Sequence, residues 1–340
     1  MIAVGVDTHK DSHFAVALDD LGQLLGELAV AACAVGYDEL ERWGRAIGRD
    51  GQQIVFGLEG AGSWGAGLCE HLQAAGCEVL EVERPRRSDR RRGKSDRIDA
   101  LAAAKRVLAG EGTSTPRRRG ALTALRALLV AQRSAVVQRT RLLNEIQALH
   151  AGAPVALRER IGEGSGRQLE RRLAGMRIGK NAEPAERAVL GVMRDMAARS
   201  RALTVDVARY ERELAQLVAS LAPTLLQETG VGPISAAKLL VCDPTRFNSE
   251  AAFARCNGTA PIPASSGKTV RHRLNRGGDR QVNNAIHTIA LSRSRHHPET
   301  RAYLDRRVTE GKTKREAMRS LKRHLSRHLF QQLTQPPLTS

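Results

Sequence analysis

A chain of 340 residues is long enough for two domains with cores of their own, and no apolar run in it approaches the roughly 20 residues of a membrane span. A formal net charge of +18 and a sequence pI of about 10.7 call for a polyanionic partner, while 3% aromatic residues exclude base stacking as the main mode of contact. Cys33, Cys69, Cys77, Cys242 and Cys256 lack C-x-x-C spacing, which argues against a zinc site or a disulfide framework.

The chain begins with Ile2-Ala3-Val4-Gly5-Val6-Asp7, a buried-strand pattern that carries Asp7 at its end. His13 to Leu18 and Leu24 to Val30 read as further strands, separated by Asp19-Asp20-Leu21-Gly22, so the three form an antiparallel meander. Tyr37 to Ile47 has helical spacing, Gln53 to Leu58 is a strand ending at Glu59, and Trp64 to Ala75 is a helix. Glu78 to Val82 is a fifth strand and Asp96 to Leu108 a last helix. Three antiparallel strands followed by alternating helices and parallel strands is the order of an RNase H-like (RuvC-like) domain, an α/β fold assigned to residues 1–112 by analogy.

The turn into that last helix is Gly93-Lys94-Ser95-Asp96-Arg97-Ile98-Asp99-Ala100. Ser95 is a natural N-cap, and Asp96 and Asp99, three apart, leave the same helical face. Arg84, Arg86, Arg87, Arg90, Arg91 and Arg92 precede it and are expected to meet phosphate.

The remainder reads as helical. Ala121 to Gly152 carries an apolar stripe that includes Leu122, Leu125, Val136, Val137 and Ile146, interrupted by Arg133, Arg139 and Arg141. Ala185 to Leu221 is a second long helix, and the Gly- and Arg-rich stretch from Ile161 to Asn181 reads as a mobile connection. Residues 113–222 are thus expected to form a coiled-coil region, either pairing with a second chain or acting as an intramolecular two-helix spacer. Residues 223–330 form a third, mainly helical domain, and 331–340 a disordered tail. In the third domain, Thr229-Gly230-Val231-Gly232-Pro233 is similar to the hairpin of a helix-hairpin-helix, or is an ordinary tight turn. Pro261 to Thr269 is an exposed loop and Arg271 to Arg280 a basic one, leading into a helix from Val282 to Ser292. Phe247 to Gly258 is a short helix, and Tyr303 to Phe330 is basic and helical.

Asp7, Glu59, Asp96 and Asp99 gain meaning as a set. Four carboxylates in one place repel unless a hard dication neutralises them, and Mg²⁺ or Mn²⁺ suits an all-oxygen site. A pair of such ions about 4 Å apart can bind both the attacking and the leaving oxygen of a phosphoryl transfer. The alternative is four unrelated structural acids.

Val4-Gly5-Val6-Asp7-Thr8-His9-Lys10, Leu58-Glu59-Gly60-Ala61-Gly62-Ser63 and Lys94-Ser95-Asp96-Arg97-Ile98-Asp99-Ala100 resemble the three acidic motifs of the DEDD transposases of bacterial insertion sequences, of the insertion-sequence-110 type. The resemblance continues at Gly230-Val231-Gly232-Pro233, Phe253-Ala254-Arg255-Cys256-Asn257-Gly258 and Ser265-Ser266-Gly267. It implies a RuvC-like domain, a coiled coil and a C-terminal transposase domain with a serine nucleophile, which falls on Ser266, with Ser265 one residue away. It also implies donor and target double-stranded DNA, a structured noncoding bridge RNA as guide, a dimer that becomes a tetramer on its substrates, and a bacterial cytoplasmic, nucleoid-associated location. His272 is the nearest candidate base to that serine. Two other activities remain open: a RuvC-like structure-selective nuclease using water at the same carboxylates, and a basic nucleic-acid-binding scaffold.

Overall fold

Strand β1 (Ile2–Thr8) is buried along its whole length, as a central strand must be when helices cover both faces of its sheet. It pairs antiparallel with β2 (Ser12–Leu18), which in turn pairs antiparallel with β3 (Leu24–Ala31). On its other side β4 (Ile54–Glu59) and β5 (Glu78–Val82) run parallel to it, and β6 (Thr113–Ser114) closes that edge antiparallel. The sheet order β3-β2-β1-β4-β5-β6 has the RNase H-like sequence of antiparallel then parallel strands. The sequence does not predict β6, because two residues carry no readable period. The structure is a computed structural model in which residues 1–48, 52–83, 95–179, 182–264 and 272–334 are described. The arginine-rich run 84–92 and the Ser265-Ser266-Gly267 motif lie outside the described residues. The chain divides into two compact units, Met1–Arg118 and Arg119–Ser340.

In the first unit, strand alternation sorts the core into two layers. Ile2, Val4, Val6, Phe56 and Leu58 pack with Leu40 of α1 (Ala34–Ile47) and with Leu68 and Leu72 of α2 (Ala66–Ala74). Ala3, Val16, Val55 and Val82 meet Ala100, Ala103, Ala104 and Val107 of α3 (Asp96–Ala109) on the opposite face. Two glycines set the closeness of that second contact. Gly5 and Gly57 are register partners on β1 and β4. A Cβ on Gly5 would strike the Ala100 carbonyl and the Ala104 amide, and one on Gly57 would strike Val107. The helix therefore lies directly on the backbone of the two strands.

In the second unit, α4 (Ala121–Ala151) and α7 (Pro184–Leu221) run antiparallel within one chain. Leu122 and Leu125 share a core with Leu214 and Val218, Ile146 shares one with Leu190 and Met193, and Gln132 Nε2 donates to Glu211 Oε1 at 3.1 Å between them. The connection expected to be mobile, Ile161 to Asn181, begins where α5 (Val155–Ile161) ends and contains α6 (Gly166–Gly175). Its Gly and Arg content hides a capping box between Ser165 and Gln168, and Leu169 and Leu173 are buried against Ile146 and Leu190. Those two leucines outweigh the loop-like composition.

The C-terminal helices share the core of Leu122 and Leu214. They are α8 (Pro223–Gln227), α9 (Pro233–Cys242), α10 (Glu250–Cys256), α11 (Arg280–His296), α12 (Pro298–Thr309) and α13 (Lys314–Thr334). The last runs through Thr334, so the tail expected from Gln331 is helical for its first four residues. Gly230, in the α8–α9 turn, has φ +85° and abuts Ile289 and Arg293 of α11, a position closed to residues with a side chain. A short ribbon of β7 (Ile262–Pro263) and β8 (His272–Arg273) bounds the serine-bearing segment. No helix among the described residues is long and apolar enough to cross a membrane.

Candidate active site

The strand period that puts Gly5 under α3 also puts Asp7 on that face, two residues further along. The same step from Gly57 leads to Glu59, the last residue of β4, whose carbonyl accepts from Thr8 Oγ1 at 2.6 Å. Gly60 then takes φ +75°, and Ser63 N and Gly65 N both donate to its carbonyl, turning the chain sharply away from the strand end. This explains the glycine after Glu59: the turn needs a left-handed residue.

Helix α3 begins beside these strand ends. Ser95 Oγ accepts from the Ile98 amide at 3.3 Å, so the cap is the one expected, and Asp96 and Asp99 occupy the first turn. The glycine-floored packing of α3 thus fixes where both carboxylates stand.

Asp7 is buried, with 6% of its surface exposed. Burial pushes its carboxyl above the ordinary range; His9 pulls the other way, and the neighbouring charges of Asp99 and Asp96 add to the rise. His9 Nε2 lies 3.0 Å from Asp7 Oδ2 and 3.3 Å from Asp96 Oδ1. Ligand atoms of Asp7, His9 and Asp96 all fall within 4.8 Å of one another, a spacing suited to one metal ion. Asp99 is within electrostatic reach of Asp7, and Glu59 is on the adjoining strand, but neither belongs to that triplet.

His9 is the residue whose place sequence reasoning missed, although it sits in the first acidic motif. The available signal was its spacing, since a residue two beyond Asp7 in extended chain returns to the same face. In the second unit, His272 is exposed on β8, opposite Pro263. Ser265 and Ser266, between β7 and β8 in the chain, remain sequence assignments.

Comparison with known proteins agrees with the acidic motifs. Residues 4–151 match the transposase family DEDD_Tnp_IS110, and residues 222–305 match the description "Transposase IS116/IS110/IS902 family". Together the two matches span about two-thirds of the chain. The chain is also similar to the "Insertion element IS110 uncharacterized 43.6 kDa protein" of Streptomyces coelicolor, at 37% identity over 116 residues. That likeness covers 33% of this chain and 29% of the relative. On the two family matches and the order of its acidic motifs, the chain belongs to the IS110-type DEDD transposases.

Proposed function

We propose that the protein cuts and rejoins DNA strands at the Asp7 cluster, with Ser266 as nucleophile, a bridge RNA choosing the DNA sites, and Mg²⁺ or Mn²⁺ as cofactor. The observation that supports this most is the meeting of Asp7 and Asp96 at the end of an RNase H-like sheet, with Asp99 in electrostatic reach of Asp7 and Glu59 ending the adjoining strand. The donor set fits a hard dication: a buried carboxylate whose charge is disfavoured by burial and by acidic neighbours is relieved by a cation. Asp7 and Asp96 would hold it, with Glu59 and Asp99 completing the oxygen shell. His9 offers a nitrogen donor that Mn²⁺ accepts more readily than Mg²⁺. When bound, the ion supplies Lewis-acid stabilisation of charge on the phosphoryl oxygens.

The protein's own residues do the rest. Ser266 Oγ loses its proton and attacks phosphorus; the bond from phosphorus to one bridging oxygen breaks, and that oxygen leaves as a DNA hydroxyl after taking up a proton. A hydroxyl of the second DNA strand then attacks the phosphoserine, restoring the serine and joining the new ends. The serine must reach the acidic cluster from the same chain or from a second copy, and a dimer that becomes a tetramer on its substrates would hold the four ends in exchange. Base pairing with the guide would read sequence, leaving protein side chains to read shape and backbone.

The acids are all supplied by residues 1–118, which also suits a nuclease that uses water at the same carboxylates. Trapping separates the two activities. Wild-type protein incubated with the insertion-sequence ends should yield a DNA adduct that mass spectrometry places on Ser266. Ser266→Ala should bind DNA and form none, while Ser265→Ala retains it. An adduct on Ser265 moves the nucleophile by one position, and full cleavage by Ser266→Ala establishes the water-using nuclease. Sequencing of RNA that co-purifies with the protein tests the guide.

A further inference from the structure

The second unit carries a polar feature that the acid and serine chemistry leaves unused. Between the β7–β8 ribbon and the turn joining α12 to α13 lies a cavity of about 520 Å³. Its wall includes Arg273, Arg307, Lys312, Arg319, Lys322 and Arg323, against a single carboxylate, Glu316. That carboxylate is already committed, accepting from the Thr313 amide at 2.9 Å and the Thr313 hydroxyl at 2.8 Å at the head of α13. Arg307 pairs with Glu310 at 2.6 Å and Arg323 with Glu250 at 3.2 Å, while Arg319 stands 3.8 Å from Glu316. Lys312, Lys322 and Arg273 have no carboxylate within ion-pair distance among the described residues.

Lys322 is the telling residue. It is half-buried, and burial pushes its ammonium pKa down. Its Nζ donates to Asn283 Oδ1 at 2.6 Å, and the Asn283 amide donates to the Asn257 carbonyl at 2.6 Å. Asn257, fully buried, donates in turn to Ser326 Oγ at 2.8 Å. The lysine is therefore held on a fixed amide network with its charge uncompensated, the state that a bound anion relieves. No Phe, Tyr or Trp lines the cavity among the described residues, so its cations, not broad ring faces, dominate what it offers a nucleic acid. Three cations without an ion-pair contact, of which Lys312 feels only the more distant charge of Glu316, exceed the charge of one phosphodiester but suit successive phosphates of one strand, which recur every ~3.4 Å of helix axis. The ribbon pairs Ile262 with Arg273 and Pro263 with His272, so the chain expected to carry Ser266 leaves from and returns to the rim of this cavity.

We infer that this cavity grips the phosphodiester backbone of the DNA strand next to the bond that is cut, an inference that rests on the serine reading above. The test is the salt dependence of affinity, measured by fluorescence anisotropy on a labelled DNA duplex and, separately, on a structured RNA hairpin. In the Arg273→Gln/Lys312→Gln/Lys322→Gln variant, the slope of log affinity against log salt for DNA should fall by about 0.9 per lost contact, or roughly 2 to 3 in all. The RNA slope should not move. Arg273→Gln and Lys312→Gln alone change exposed side chains and should each remove about one contact, so the answer does not depend on the triple variant folding. An unchanged DNA slope in the single variants, or a loss confined to RNA, overturns the assignment. Trapping on the same preparations separates the two ideas: a wild-type adduct with unchanged slopes sinks the cavity alone, and reduced DNA slopes without any wild-type adduct sink the serine alone.

Discussion

Asp7 holds a carboxylate where water is scarce and other carboxylates are near, so its charge weakens the fold unless a cation is bound. Asp7→Asn is therefore expected to melt no lower than wild type in the presence of a chelator. Added Mg²⁺ or Mn²⁺ should raise the melting temperature of wild type and leave the variant unmoved. Strand cleavage should fall by more than the roughly 10–100-fold typical of outer-shell metal residues, with DNA affinity nearly unchanged. His9→Ala, if His9 only positions Asp7 and Asp96, should stay within that 10–100-fold range. A drop as large as that of Asp7→Asn would make His9 a ligand. A second histidine reports on the fold alone. His13 is buried on β2 and stacked on Tyr37 at 5.7 Å, and neither ring nitrogen has a side-chain partner. Burial is the main cause that lowers its pKa, partly opposed by the Ser12 backbone. Because the folded state disfavours the imidazolium, stability from this residue is whole above the unfolded value of 6.5 and is lost as pH falls below it. His13→Phe keeps the stack and removes the titration. Thermal melts at neutral and mildly acidic pH should show a smaller acid loss in the variant than in wild type, and equal losses would place the pH sensitivity elsewhere.

At the scale of elements, the placement of α3 decides the site. A methyl on Gly5 has only helix backbone to meet, so Gly5→Ala should cost about 1–3 kcal/mol by overpacking and move Asp96 and Asp99 away from Asp7. The expected result is a lowered melting temperature together with loss of metal-induced stabilisation; a variant with intact metal response would show that the helix re-seats without disturbing the acids. Ser95→Ala removes one cap bond and should cost about 0.5–2 kcal/mol. The strands β1 to β5 and helices α1 to α3 were legible because their periods are clean and Ser95, Gly60 and the strand-ending acids punctuate them. The approach of Asp96 to Asp7 was legible from helix and strand ends, whereas the closeness of His9 to Asp96 depends on how tightly α3 packs, which no local pattern states. Helix α6 was missed for a related reason: its composition is that of a loop, and only burial of Leu169 and Leu173 against distant residues makes it a helix. Likewise Val136 and Val137 read as one apolar stripe, but adjacent helical residues diverge by 100°, and the second of them faces outward.

At the scale of the whole molecule, that outward valine is informative. On α4, Val130 and Val137 are 70% and 59% exposed and stand seven apart, one stripe along the helix, while Gln132 and Ala135 between them face inward to α7. Two exposed valines one heptad apart offer a small apolar stripe to a second helix, and here the intramolecular partner α7 already occupies the other side. If DNA ends are exchanged between subunits, as proposed above, a second copy of the chain is the occupant this stripe would take. Val130→Glu/Val137→Glu should therefore leave the monomer folded, since neither side chain is buried within it, and weaken self-association. Removing two valines from a seam costs about 3 kcal/mol or more in buried apolar surface, or ~100-fold in the dissociation constant. Light scattering with and without RNA and paired DNA reads this directly: wild type should gain mass as subunits assemble on substrate, and the double variant should stay lighter at the same concentration. Equal masses for the two proteins would clear α4 of the interface and leave Val130 and Val137 as ordinary exposed valines.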